Sequence, residues 1–585
     1  MLLRGLGWIL FVLLLAPLLP TARAGGRCTL RAYTLPVTMD GSKPLVSAKI
    51  NGAEARFVVD TGAFFQMMSP AVAAQYKLDL EPAPFGFSIG GVGGSIRPQI
   101  ATVKDFTVGD VPFHDVQFLV GGNDRLPGVA GFLGENLFRI ADLELDLANG
   151  LLRIIEPEHC GRQVLAYWAK DEAVAEVGLH WRTETRPQLT GEARLNGHTI
   201  RVVFDTGASR SVLSWRAAKR AGISPSGPGV VRLGMISGIG RQPVAMWSVP
   251  VDSFEVGGEK IEHTRVAVAD IDLPGLDADM LLGADFFLAH HVYVANSQDK
   301  LYFTYNGGPV FNLSVARTAQ AAPEPLDAAD LLRRGAAYAS RREFTPALAD
   351  LTRACDLAPK DAQCRYQRGL AYWRSGQAAP ALADFDTAIT LDPADLQARL
   401  ARAEVEVRQR PASVEDDLDA MDRLAPPQAN LRLAMGQLYD RIGEYAGAVH
   451  QIDLWIDYHQ DDVSLPLALA DRCGSEAMAN VDVDRGLGDC NRALRIMPKA
   501  APARAAAVTL SNRGFVYLRL GKPDDALADF AAALKRQPDL PLALYGRGLA
   551  ERRKGLKAQG QADLAAAAAS SPGLTQRLAS FGLAR

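Results

Sequence analysis

The 585 residues predict an all-β half built from two related lobes, followed by an all-α superhelix of short repeats. Three observations lead there. Residues 29 to 305 favour short apolar runs punctuated by Gly, Pro and Asn, as in "ATVKDFTVGDVPFHDVQFLVGG" and "VDSFEVGGEKIEHTRVAVAD". This alternation marks antiparallel strands and hairpins. The same stretch is internally duplicated. After residue 326 the composition turns to Ala, Leu, Arg and Asp at helical spacing and stays so to the end. A chain of this length exceeds what one core can organise and divides into several domains.

The amino terminus reads as an export signal over residues 1–24: Arg4, the apolar run "WILFVLLLAPLLP", then the small-residue site "ARA" ending at Ala24. The run is shorter than the ~20 residues needed to span a bilayer, so cleavage near Gly25 is expected in preference to a retained anchor. Lipid attachment at Cys28 fits poorly, because Arg27 stands where a small residue is usual. Export implies an oxidising compartment, the bacterial periplasm, with secretion or membrane tethering as alternatives. There the six cysteines become disulfide partners rather than metal ligands. Their positions favour Cys28 with Cys160, Cys355 with Cys364 and Cys473 with Cys490. Six cysteines nevertheless allow fifteen connectivities, and buried free thiols are the alternative. Lys+Arg 63 against Asp+Glu 66 leave a net charge of -3. That balance disfavours nucleic acid and anionic membrane surfaces as partners.

The duplication sets a first lobe at 29–160 and a second at 165–305. Asn51 and Gly52 precede Asp60 by the interval at which Asn196 and Gly197 precede Asp205, and Ser69 and Ser214 follow at matching distances. Downstream, "GFLGENLF" corresponds to "MLLGADFF", each followed by a hairpin-like pair, "LELDLANGLLRII" and "VYVANSQDKLYFTY". Residues 306–326, polar and rich in Ala and Pro, read as a linker. From 327 to 575, Gly335, Tyr338, Ala347, Leu351, Ala354 and Pro359 recur as Gly369, Tyr372, Ala381, Phe385, Ala388 and Pro393. The pattern returns from Gly514 and again, more weakly, from Gly548, with divergent copies between. Its period of about 34 residues is similar to that of tetratricopeptide repeats, with six or seven units expected. Such units bury a continuous core only when stacked, and their curvature creates a groove suited to a protein partner, a purely structural spacer being the alternative.

The chemistry is expected at "RFVVDTGAFFQMMS" (56–69) and "RVVFDTGASRSVLS" (201–214). An Asp in a turn, with Thr bonding locally and Gly supplying positive φ, accounts for one such segment. It does not account for two equivalent copies, each behind an apolar run that carries a carboxylate toward a costly, buried place. If the copies meet about a pseudo-two-fold axis, Asp60 and Asp205 lie side by side and cannot both ionise. The ionised member then takes a proton from a water attacking a peptide carbonyl, while the protonated member hydrogen-bonds that carbonyl. Gly62 and Gly207 let backbone N–H groups face the carboxylates, and Thr61 and Thr206 tie the loops across the axis. This chemistry needs no metal and no cofactor.

The paired "DTGA" motifs with downstream "FLG" and "LLG" resemble aspartic peptidases of the retropepsin and pepsin clan, closest to the retroviral-like form found in bacteria. The resemblance spans residues 29–305. It implies that Leu133 with Gly134 and Leu282 with Gly283 pack behind the aspartate loops. It also implies that the Gly-rich segments "GFSIGGVGGSIRP" (Gly90, Gly91, Gly93, Gly94) and "RLGMISGIGRQPV" (Gly238, Gly240) form hairpin flaps over a peptide substrate. Neither segment makes a G-x-G-x-x-G turn into a helix, which argues against a nucleotide site. One departure stands out: Ser209 is the small polar residue that often follows the motif, and Phe64 replaces it in the first lobe. The expected activity is that of an aspartic endopeptidase with both lobes in one chain, since tandem halves meet at high effective concentration. The alternative is a non-catalytic scaffold gripping an extended peptide by strand addition.

Overall fold

The computed structural model describes residues 28–573, apart from 64, 124–126, 171, 181–187, 237, 239, 241, 272–277, 309, 312–326, 408–410 and 499–500, together with 576 and 578. The expected signal segment, Phe64 and most of the expected linker lie outside the described residues. Val310 and Phe311, at the start of that linker, still belong to the β half: Val310 is buried and Phe311 meets Phe254 edge-on.

Each lobe begins with the same device. Lys43–Ile50 pairs with Ala53–Val59, and Thr190–Leu195 pairs with His198–Phe204. The turns are Asn51-Gly52 and Asn196-Gly197, all four residues at positive φ, the geometry that two-residue hairpins demand and Asn-Gly supplies. Each asparagine also caps a neighbouring strand end, Asn51 Oδ1 accepting from the Asp105 amide and Asn196 Oδ1 from the Asp252 amide. A three-residue strand then inserts parallel to the second strand of each hairpin: Gly131–Leu133 beside Phe57 to Val59, and Met280–Leu282 beside Val202 to Phe204.

A six-stranded sheet joins the lobes, in the order Thr29–Pro36, Leu151–Glu158, Asp142–Asp146, His290–Ala295, Lys300–Tyr305, Ala175–Gly178. The lobes meet in it where Leu143, Glu144 and Leu145 oppose Val294, Tyr293 and Val292. At that seam the buried Glu144 carboxylate accepts from His291 of the other lobe (2.8 Å), Arg153 (2.8 Å) and the Tyr167 hydroxyl (2.6 Å). Burial alone would raise its pKa, but these bonds hold it below the usual carboxylate range. Disulfides Cys28–Cys160, Cys355–Cys364 and Cys473–Cys490 are formed, the first tying the leading strand to the strand beside it and the other two each joining consecutive helices.

Fourteen helices among the described residues, Ala328–Ser340 through Lys557–Ser570, make seven consecutive pairs. The repeated glycines do not chiefly bring backbone against backbone. They receive a large side chain from the second helix of the unit: a Cβ on Gly369 would stand 2.6 Å from the Phe385 ring, and one on Gly514 2.7 Å from that of Phe530. A charged pair recurs beside this contact. Arg368, just before Gly369, makes two parallel bonds of 2.7 Å to Asp384, just before Phe385. Arg334 with Asp350, Arg513 with Asp529 and Arg547 with Asp563 repeat the arrangement at the same spacing. Asp384 is 5% exposed, so Asp384→Ala leaves a mostly buried guanidinium without its partner. It is expected to lower the stability of the array by about 3–5 kcal/mol, whereas replacing both partners with leucine costs much less. Urea denaturation followed by helical circular dichroism measures both.

The array rests on the lobes. Arg341 donates to the Leu288 carbonyl (3.0 Å), Arg374 lies 3.5 Å from Asp40, and Ala337 joins the main β core.

Candidate active site

Each aspartate closes the second strand of its lobe's opening hairpin. The short parallel strand fixes it from behind: the Asp60 amide donates to the Leu133 carbonyl (3.0 Å), and the Asp205 amide to the Leu282 carbonyl (2.8 Å). Gly134 and Gly283 follow those leucines and lie flat on the aspartate loops, where a Cβ would come within 2.8 Å of Phe65 backbone or 2.4 Å of Arg210 backbone.

The two loops interlock. The Thr61 amide donates to Thr206 Oγ1 (3.1 Å) and the Thr206 amide to Thr61 Oγ1 (3.0 Å). Each hydroxyl then donates onward to a strand of the opposite lobe, Thr61 to the Phe204 carbonyl and Thr206 to the Val59 carbonyl, both at 2.7 Å. Both threonines are fully buried. This reciprocal set leaves no freedom for the aspartates to move apart without stranding buried polar groups.

The carboxyls converge across the same interface. A Cβ on Gly62 would lie 2.3 Å from Asp205 Cγ, and one on Gly207 2.0 Å from Asp60 Cγ. Each carboxyl therefore presses on the glycine of the opposite motif, a place only glycine can leave open. Asp60 Oδ1 accepts from the Gly62 (3.1 Å) and Ala63 (2.8 Å) amides, and Asp205 Oδ1 from the Ala208 amide (2.9 Å). Burial pushes the Asp60 carboxyl above the usual range, against the pull of the Lys43 ammonium. Burial and the neighbouring Asp60 charge push Asp205 well above it.

The glycine-rich segments face each other. Strands Ile89–Gly91 and Gly94–Ile96 form a hairpin with Val92 and Gly93 at its tip. The Gly240 amide donates to the Val92 carbonyl (3.1 Å) and the Gln242 amide to the Gly93 carbonyl (3.0 Å). Gly93 has φ +89°, and a Cβ there would strike the Gln242 carbonyl at 2.3 Å. Val92 packs against an apolar cluster of the second lobe, and so does Ala208, the residue after Gly207. The first flap and the second aspartate loop thus rest on the same cluster. Asn123 steadies the other tip, its amide donating to the Gly238 (2.8 Å) and Gly240 (3.3 Å) carbonyls, while its oxygen accepts from the Val463 amide of the helical array (2.9 Å).

Residues 46–137 and 191–286 match the aspartyl protease family model, and residues 334–406 and 512–574 match tetratricopeptide repeat models. The β half is an aspartyl protease-family region; the helical half is a tetratricopeptide array. Among curated proteins none matches this sequence. Among solved structures, an aspartic proteinase from Irpex lacteus aligns at 13% identity over 47% of this chain and 97% of its own, with a TM-score of 0.30. YrrB, described as a tetratricopeptide protein with an unusual peptide-binding site, aligns at 19% identity over 34% of this chain and 97% of its own, with a TM-score of 0.28. A chain of the APC/C Cut9–Hcn1 hetero-tetramer aligns at 18% identity over 43% of this chain with a TM-score of 0.31, and this chain spans about half, 49%, of its length. The assignment of both halves rests on the family models.

Several residues around the aspartyl protease-family site escape the sequence. Ser211 and Asp285 lock the second loop, the Ser211 hydroxyl and amide both donating to Asp285 Oδ1 (2.6 and 2.7 Å) and the Gly283 amide donating to Ser211 Oγ (2.9 Å). Their lobe-one counterparts are Gln66 and Asn136, so the duplication carries no shared residue type there to reveal them. Asn123 and Val463 come from distant loops. Lys43, whose ammonium donates to the Gly207 carbonyl, has no charged copy in the second lobe.

Proposed function

We propose that this protein is an exported aspartic endopeptidase whose Asp60–Asp205 pair activates water against a peptide bond. The observation that carries the reading is the seating of each carboxyl on the other lobe's glycine. Two carboxyls so close retain one proton between them. The ionised member removes a proton from the attacking water. The protonated member donates a hydrogen bond to the scissile carbonyl and afterwards supplies the proton taken by the leaving amine. The amides of Gly62, Ala63 and Ala208 hold the acceptor oxygens in place. The flap tips, joined across the cleft, exclude water from the peptide once it is seated. Tetratricopeptide repeats are protein-interaction modules, and the array here recruits a protein substrate or partner while its Val463 amide helps to hold one flap. The apolar leader and the three disulfides support export.

The test incubates purified full-length protein with an unfolded protein substrate from pH 3 to pH 8 and identifies released peptides by mass spectrometry. Internal cleavage by the wild type that disappears in Asp60→Asn is expected. No cleavage at any pH, with peptide binding retained, would instead identify a scaffold.

A further inference from the structure

The hairpin register brings one more charge to the aspartates. Leu45 stands opposite Val58, and the same antiparallel register carried two residues further sets Lys43 against Asp60. The Lys43 ammonium donates to the carbonyl of Gly207, the glycine on which the Asp60 carboxyl presses. Lys43 therefore sits at the meeting point of both lobes, and the charges acting on it are those of Asp60 and Asp205. Asp40, its cross-strand neighbour in the preceding turn, is engaged instead by Arg374 of the array at 3.5 Å. Among the described residues, the second lobe offers no cation at the equivalent position. The duplication that maps Asn51 onto Asn196 and Asp60 onto Asp205 puts Gln188, buried and neutral, in the place of Lys43.

We propose that Lys43 is a positioning residue that sets the pH window of the aspartate pair: its ammonium, anchored on the Gly207 carbonyl, favours the ionised forms of both carboxyls. The inference deepens the proteolytic reading and rests on it. Burial of the two carboxyls raises their proton affinity, and the cation opposes that rise at both. An opposite charge at this range favours proton release, so the first and second protons both leave at lower pH than they would from the pair alone. The singly protonated state, the one able to act as base and acid together, is accordingly centred at lower pH. The carbonyl anchor keeps the ammonium from swinging out to solvent, where its influence would be screened.

The experiment compares full-length wild type with Lys43→Gln, Lys43→Met and Lys43→Arg. Two readouts are used: the pH profile of kcat/KM for peptide cleavage, and carbon-13 NMR titration of the labelled aspartate carboxyls. Both neutral variants are expected to shift the acidic and alkaline limbs upward by about one to three pH units. Each is then slower than wild type on the acid side of the optimum and faster on the alkaline side, a crossing that structural damage does not produce. Lys43→Arg is expected to return both limbs to their wild-type positions. Unshifted limbs and titrations in the neutral variants overturn the inference, as does an Arg variant that shifts like Gln. The Gln variant copies the second lobe's own residue, which guards against a simple folding failure. The carboxyl titration needs no turnover, so loss of the proteolytic reading leaves the Lys43 test readable. A null result at Lys43 leaves the dependence of cleavage on Asp205 untouched.

Discussion

Asp205→Asn is expected to abolish peptide cleavage, reducing kcat/KM by about a hundred- to ten-thousandfold or more, with little change in the folded structure. An amide fills the volume of the carboxyl but cannot hold or release the shared proton. The interlocking threonine bonds and the Gly62 contact do not require charge at this position, so the loops stay joined. Removing one of two buried, mutually repelling acids also relieves an electrostatic cost, so the variant should melt at or above the wild-type temperature. The comparison is made by assaying peptide release and thermal unfolding on the same preparations. Cleavage surviving in Asp205→Asn would contradict the two-acid mechanism.

The second large effect is expected from a single methyl. Gly207→Ala places a Cβ 2.0 Å from Asp60 Cγ and 2.2 to 2.3 Å from its oxygens. No rotation of a short, hydrogen-bonded carboxylate relieves an overlap of that size, so the loops separate. The threonine bonds, at 3.0 and 3.1 Å, have little slack to follow. Loss of activity comparable to that of the Asn variant is expected, together with destabilisation of about 1–3 kcal/mol from overpacking. Gly178→Ala is the control, since a Cβ there meets nothing within 4 Å. Urea midpoints and cleavage rates for the two alanine variants separate steric disruption of the pair from a general intolerance of glycine replacement. Equal behaviour of Gly207→Ala and wild type would mean that the carboxyls do not converge.

How far the sequence could be read follows from which residues the duplication repeats. Asp60 and Asp205 with the flanking threonines and glycines occur twice at one spacing, and the Leu-Gly pairs follow downstream in both copies, so a single reading locates them in both lobes. The helical repeat is legible for the same reason, because Gly369 and Phe385 recur in register with Gly335 and Leu351. Arg368 and Asp384 also recur, as Arg334 and Asp350, and their spacing contains the signal for the paired charges, although small and aromatic residues draw attention first. What occurs once is hidden. Lys43 reaches the aspartates only through the hairpin register and has Gln188 as its counterpart. Glu144 finds His291 only when two hairpins, one from each lobe, become neighbours in a shared sheet. Asn123 joins the second flap to Val463 through contacts between chain segments hundreds of residues apart. The repeat glycines are legible by their recurrence, but the ring or branched side chain of the second helix that fills the space they leave shows only in the fold.

The two acids at the lobe interface are the centre of the account, and carbon-13 NMR titration of their carboxyls in wild type, Asp60→Asn and Asp205→Asn reaches them most directly. The account predicts that one carboxyl stays protonated far above the ordinary value of about 3.9 while the other ionises first, and that removing either aspartate abolishes this separation. Two carboxyls titrating independently near that ordinary value, each indifferent to the loss of the other, would contradict it.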